Sequence, residues 1–364
     1  MSSGGRIITE ALLRRFCTLV MPRLNLIKAL LLIFLPLAVI LAAPWVGVRL
    51  ISPGDVFSWG SGFVDSAEAR IFWQLRIPRV ILAWCAGATF GLCGMVFQAL
   101  FRNPLAEPSL LGVSAGAALG AAVSIRLGLA AGALGASAAS SSPGFLVSLA
   151  TPLCAFAGAM LAIAIISTFA RMARGASDAT LLLAGVAVSS LFSSLIMVFQ
   201  YTGGAVETYK LLSWTMGGIS VVGMGEGLRA VPSLFITLAL SLCFATELDL
   251  ITFGDEIATT RGVELERMKR LLFAGMSLSV AMVVANCGPI AFLGLIAPHV
   301  SRRIVGPRHR LLAPCVAAVG GTALVVCDTA ARTLWAPADL PVGIIISFLG
   351  APFFMWLLFA PRHR

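Results

Sequence analysis

Long apolar runs alternate with short polar breaks along almost the whole chain. A helix that crosses a bilayer needs about 20 mostly apolar residues. Ten segments meet or approach that length: 26–48, 78–101, 107–128, 145–170, 180–202, 230–248, 269–286, 290–305, 311–334 and 341–360. The pattern predicts an all-α polytopic membrane protein with about ten transmembrane helices. The eighth run is short, follows Gly288-Pro289 and contains Pro298, which predicts a kinked or partly re-entrant helix.

The polar breaks orient these spans. Ten crossings put both termini on one side. With the N-terminus inside, 18 of the 26 lysines and arginines fall on the inner side and 8 outside. The positive-inside bias therefore predicts both ends in the cytoplasm. Residues 1–25 form a cytoplasmic extension, and 26–360 form one transmembrane domain. The basic stretch before the first run leads into Pro44-Trp45 and further spans, so that run is an uncleaved helix and not a signal peptide. Three connections exceed simple turns. Residues 128–144 are rich in Gly, Ala and Ser and predict a flexible outer loop. Residues 207–220 predict a short outer interfacial helix. Residues 252–270 are the most charged stretch, with a helix start at Gly254-Asp255-Glu256, a break at Gly262 and a second polar turn. They are either a docking surface facing the cytoplasm or a solvated linker.

Composition agrees with the spans. The chain of 364 residues is 59% hydrophobic and 12% charged, with a mean hydropathy of +0.97. Soluble domains are about 25% charged, so a soluble enzyme, a secreted disulfide scaffold and a nucleic-acid-binding domain are excluded. The net charge of +10 lies mostly between apolar runs, where it orients helices. The 8 cysteines are scattered without CxxC or metal-type spacing, so neither a metal nor a cofactor is expected. Of the three lysines, Lys28, Lys210 and Lys269, none follows a glycine. A phosphate-binding P-loop is therefore impossible here, and any ATP-driven step belongs to another polypeptide.

Few residues carry candidate chemistry. Gly112-Val113-Ser114-Ala115-Gly116 matches the nucleophile-elbow spacing but opens an apolar helix where that motif needs a strand–turn–helix. His299 is the histidine that Ser114 could use in an intramembrane hydrolase, since His309 and His363 fall in basic cytoplasmic segments. Spacing of Gly87/Gly91 and Gly112/Gly116/Gly120 favours close helix packing instead. Asp328 is a carboxylate within a span, with Arg332 one turn later on the same face. A secondary transporter would need such midplane carboxylates, and Asp328 is the sole deep one. Glu107 and Asp178, near inner ends, need only solvated or capping roles. Arg76, Arg79 and Arg332 break the positive-inside bias and suggest an acidic partner outside.

The ordered set Leu75-Arg76-Ile77-Pro78-Arg79, Gln98-Ala99-Leu100-Phe101-Arg102-Asn103-Pro104-Leu105-Ala106-Glu107-Pro108, Gly254-Asp255-Glu256, the run from Gly288-Pro289 to Pro298-His299, Asp328-Thr329-Ala330-Ala331-Arg332, Asp339-Leu340-Pro341-Val342-Gly343 and Gly350-Ala351-Pro352 resembles the FecCD family over about residues 70–360. Those proteins are permease subunits of ABC importers for ferric siderophores, haem and vitamin B12. The resemblance implies the type II importer permease fold in a bacterial inner membrane. It also implies a homodimer, two copies of a separate cytoplasmic ATPase, and a periplasmic or surface substrate-binding protein. It places binding-protein docking on Arg76, Arg79 and Arg332, ATPase coupling on helices at about 254–267 (Gly254, Asp255, Glu256, Arg261, Gly262), and the gate within 201–218 (Tyr201, Tyr209, Trp214, Met216). No cofactor, metal or catalytic residue is implied.

Overall fold

A computed structural model describes residues 26–47, 49, 51–52, 56, 67–127, 145–172, 178–336 and 338–359. The expected extension 1–25, the loop 128–144 and the basic tail 361–364 lie outside them. The described residues are helical, with no strand among them.

All ten expected spans are helices, but not all of one length. Five are long: α2 (Ile77–Leu100), α4 (Phe145–Met172), α5 (Asp178–Thr202), α10 (Leu265–Cys287) and α12 (His309–Leu334). Four are shorter: α1 (Leu26–Ala42), α3 (Val113–Arg126), α11 (Leu293–Val305) and α13 (Val342–Phe359). The tenth, expected over 230–248, breaks at Phe244 into α7 (Val231–Cys243) and α8 (Ala245–Ile251). A helical turn at Met224–Gly227 leads into α7, and the two together are again long and apolar enough to cross a membrane. Between the spans lie α6 (Ala205–Thr215) and α9 (Asp255–Thr260). The polar turn expected after Gly262 is the first turn of α10, which starts at Leu265. Upstream of α2, residues from Ala67 wind through a π-helical turn, Ile71–Arg76, so the helical segment is 34 residues long.

Helix α2 is the centre of the molecule. Of its most apolar window, 89% is buried, against 22% in α4 and α5. Lipid tails are as apolar as leucine, so close approach of small residues holds such helices together. A Cβ on Gly87 would overlap the Gly320 carbonyl of α12, and a Cβ on Gly116 would overlap the Gly158 carbonyl of α4. The glycine spacing on α2 and α3 is thus a packing device.

Two short helices depart from the expected crossings for one shared reason. After α2 the chain folds back so that Pro108 packs on Gly294. Gly294 in turn abuts Gly94, well inside α2. Helices α3 and α11 therefore start alongside the body of α2 rather than at its end. Pro108 opens a 3-10 turn, and Gly112, at φ +72°, turns it into α3. Phe292, at φ +65°, starts α11, and its N–H donates to Glu107 Oε1 at 2.6 Å. Glu107 is buried as the cap of that turn, where a solvated end also sufficed on sequence grounds.

Candidate transport site

At one end of α2 and α12 sits an ion cluster. Arg79 approaches Asp328 with Nη2 at 2.9 Å from Oδ1 and Nε at 3.0 Å from Oδ2, a bidentate pair between helices 249 residues apart in sequence. Arg332 Nε lies 3.4 Å from Asp328 Oδ2, which realises the expected one-turn pair. Asp328 is only 1% exposed, so both arginines compensate a carboxylate that burial alone would make very costly. Arg79 Nη1 also reaches Asp339, which is 66% exposed, at 3.2 Å. Arg332 Nη2 donates to the Ala43 carbonyl.

Arg76 is used differently. It is buried, and it donates to the carbonyls of Pro44 at 2.9 Å, Trp45 at 3.4 Å and Arg49. Pro44 and Trp45 close the 3-10 turn that follows α1, where the last carbonyls of a helical run lack partners within it. The free exterior cation expected at Arg76 is therefore an internal clamp, because unpaired carbonyls near a membrane need a donor. The expectation for Arg332 changes in the same way. Of the three arginines, Arg79 has a partner on an exposed side chain.

At the opposite end of the same two helices lies α9, framed by Gly254 at φ +124° and Gly262 at φ +84°. Asp255 faces inward: Oδ2 accepts from Lys269 Nζ at 3.1 Å and lies 3.5 Å from Arg102 Nη2. The side chains turned outward are Glu256, Ile257, Thr260 and Arg261, and Ile257 is 46% exposed. Beside them a cleft between α8 and the start of α10 is lined by Phe244, Leu250, Arg261, Val263 and Arg267. Helix start and break were visible in the sequence; the inward turn of Asp255 was not, since its partners come from the turn after α2 and from α10.

Near the ion cluster, α6 bridges several spans. Glu207 caps it through the Gly204 N–H and pairs with Arg126 of α3 at 2.7 Å. Those bonds hold the Glu207 carboxyl below the usual range. The pair stabilises above that range and is lost as pH falls through the lowered value. The turn after α6 is pinned: Gly218 N–H donates to the Cys287 carbonyl at 2.8 Å, and Gly343 N–H to the Gly217 carbonyl at 3.1 Å. This ties α6 to the end of α10 and the start of α13. Tyr201 and Tyr209 are exposed, Tyr201 at 93%, while Trp214 packs against the core and the Met216 carbonyl meets Gly343.

Ser114 and His299 are not brought together as a dyad. The His299 ring stands edge-on to Phe353, and its Nε2 has no hydrogen-bond partner. Asp328, the deep carboxylate a secondary transporter would use, is held by two arginines. His309, expected in a basic cytoplasmic segment, is buried against Asp249.

Comparison with known proteins gives one consistent result. The chain is 38% identical over 297 residues to the cobalamin import system permease protein BtuC of Halobacterium salinarum, covering 82% of this chain and 75% of that protein. It is 34% identical over 312 residues to the iron(3+)-hydroxamate import system permease protein FhuG of Bacillus subtilis, covering 86% and 90%. The structure superposes on a metal-chelate type ABC transporter in an inward-facing conformation with a TM-score of 0.72 at 27% identity, covering 91% and 97%. The model of the FecCD transport family matches residues 31–360, so the chain belongs to that family.

Proposed function

We propose that this chain is the permease subunit of a binding-protein-dependent ABC importer that carries an iron chelate, a ferric siderophore or haem, or cobalamin into the cytoplasm. The observation that carries the reading is the family match over nearly all the spans, together with relatives named as permeases for cobalamin and for iron(3+)-hydroxamate. The subunit works as a homodimer in the cytoplasmic membrane, with both termini inside. Two copies of a separate ATPase sit on α9 and the start of α10. A substrate-binding protein docks on the face that holds Arg79. The turn from Tyr201 to Met216 forms the gate, because α6 is tied to three spans whose relative movement would shift it.

Each face has its own test. Ile257→Asp puts a charge into the apolar part of the α9 surface. Central apolar contacts dominate interface energies, so ATP hydrolysis stimulated by binding protein should fall about tenfold, a loss of about 1.4 kcal/mol. Phosphate release from the purified complex reads this; undiminished stimulation contradicts the role of α9. On the other face, Asp339→Asn frees one donor of Arg79 for a carboxylate of the binding protein. The exposed pair it removes is worth about 0–1 kcal/mol, so affinity should rise by up to about fivefold, with steeper salt dependence. Surface-immobilised complex measures it, and weaker binding would refute Arg79 as a docking group.

The whole reading is tested by co-expressing the tagged chain with its ATPase and assaying uptake of labelled cobalamin, haemin and ferric hydroxamate. Retention of the ATPase and uptake of one of these cargoes are expected. Uptake that persists without the ATPase would contradict it.

A further inference from the structure

At the α9 end of the molecule, the first residue of α12 is buried. His309 Nδ1 lies 2.6 Å from Asp249 Oδ1, and the His309 backbone N–H donates to the same oxygen at 2.9 Å. The other ring nitrogen, Nε2, is buried with no hydrogen-bond partner. Asp249 is thus the hydrogen-bonding contact that fixes this ring and an orphan amide of the helix start.

Asp249 sits on α8, whose Leu248 and Ile251 are fully buried, and α8 packs against both α2 and α12. The link from α8 to α9 has no slack. Phe253 N–H donates to the Leu250 carbonyl, Gly254 N–H to the Ile251 carbonyl, and Thr252 Oγ1 to the carbonyl of Asp249 itself. Asp255 of α9 also meets Arg102, in the turn that follows α2, at 3.5 Å. Helix α12 then runs from His309 to Leu334 with Pro314 inside it, and α2 is locked against it by Gly87 and Gly320. Asp328, 19 residues after His309 and so about 28 Å along the axis, holds the Arg79 cluster at the far end.

We infer that Asp249, acting through His309, is a positioning residue for energy coupling: it joins α8 and α9 to α12, so that displacement of α9 moves the Arg79–Asp328–Arg332 cluster with it. This rests on the reading of α9 as the ATPase contact. It goes further, because it assigns the joint to a pair outside α9 whose histidine is buried.

The test uses the complete complex of this chain, ATPase and binding protein in proteoliposomes, the binding protein loaded with cobalamin or ferric hydroxamate. The readout is the ratio of phosphate release with loaded binding protein to that without it. Asp249→Ala removes both acceptors and should lower the ratio at least fivefold. Asp249→Asn keeps an amide oxygen for the His309 N–H and the ring Nδ1–H, and should stay within twofold of wild type. A purely electrostatic role would lower the ratio equally in both, and a purely folding role would lower assembly and basal hydrolysis rather than the ratio. An unchanged ratio in Asp249→Ala, or an equal fall in Asp249→Asn, overturns the inference. Should Asp249→Ala fail to assemble, paired substitutions Asp249→Cys and His309→Cys decide it. The reduced pair lacks the bridge and should show the lowered ratio; helices that move as one tolerate the disulfide, so oxidation should bring the ratio back towards that of oxidised wild type. A ratio that stays lowered or falls further on oxidation overturns the inference, a fall that reductant reverses showing that α8 and α12 must slide apart. If wild type itself shows no stimulation, the importer reading fails, and this inference with it.

Discussion

Replacing Asp328 by asparagine is expected to be among the most damaging single changes in the chain. The carboxylate is buried and faces both Arg79 and Arg332. Removing its charge leaves two guanidinium groups facing a neutral amide in a poorly solvated site, with Asp339 and the Ala43 carbonyl as weaker remaining acceptors. Breaking a buried pair from one side costs about 3–5 kcal/mol, so the purified protein should lose most of its thermal stability in detergent. The double substitution Asp328→Asn with Arg79→Gln should be milder than the two single losses added together, since partners in one network are not additive. Strict additivity would show that the pair carries no coupling.

The second large effect is steric. A Cβ on Gly94 would fall on the backbone of Gly294, including its carbonyl oxygen, and a backbone atom cannot turn aside as a side chain can. Gly94→Ala should therefore separate α2 from α11; overpacking of this kind costs about 1–3 kcal/mol or more. We expect sharply reduced recovery of folded protein from the membrane. Gly275 gives the control. A Cβ there meets the tip of the Leu240 side chain, which can turn away, and alanine suits a helix interior better than glycine by about 0.5–1 kcal/mol. Gly275→Ala should fold as well as the unaltered chain. Equal loss from both would remove close approach as the explanation.

These two sites show how far the sequence was legible. Apolar run length alone locates the helical segments, six of which among the described residues are long and apolar enough to cross a membrane, because a lipid-facing helix must repeat one simple composition over its whole length. Glycine spacing on α2 and α3 likewise announces close packing. What sequence periodicity does not carry is depth. Helix α3 looks like an ordinary crossing and α11 only like a short, kinked one, yet both start beside the body of α2, because Pro108 and Glu107 fold back to meet Gly294 and Phe292. Nor does it carry partners. Arg332 is visible as a neighbour of Asp328 one turn away, whereas Arg79 becomes its closest partner only through packing. The exterior arginines illustrate the same limit. Their position against the charge bias marks them as special, but whether a guanidinium meets a partner protein or a carbonyl of its own chain is decided by where α1 ends. Asp255 and His309 repeat the lesson at the other end: each is polar and lies near a predicted boundary, and each is turned inward by a residue from a distant span.

The Glu207–Arg126 pair adds a smaller check at the proposed gate. Its carboxyl is held below the usual range, so acidification that leaves it charged should not alter transport, while pH low enough to protonate it should loosen α6 from α3. Glu207→Gln should reproduce that loosening at neutral pH, measured as faster proteolysis within 201–218.

The central claim is that this polypeptide is a gate moved by proteins it does not encode. Reconstitution by omission tests it most directly: vesicles holding the chain alone, the chain with ATPase, and the chain with ATPase, ATP and loaded binding protein, each assayed for internal labelled cobalamin or ferric hydroxamate. The account predicts accumulation against a gradient in the last preparation and none in the other two. Accumulation by the chain alone, driven by an ion gradient or by nothing added, would contradict it.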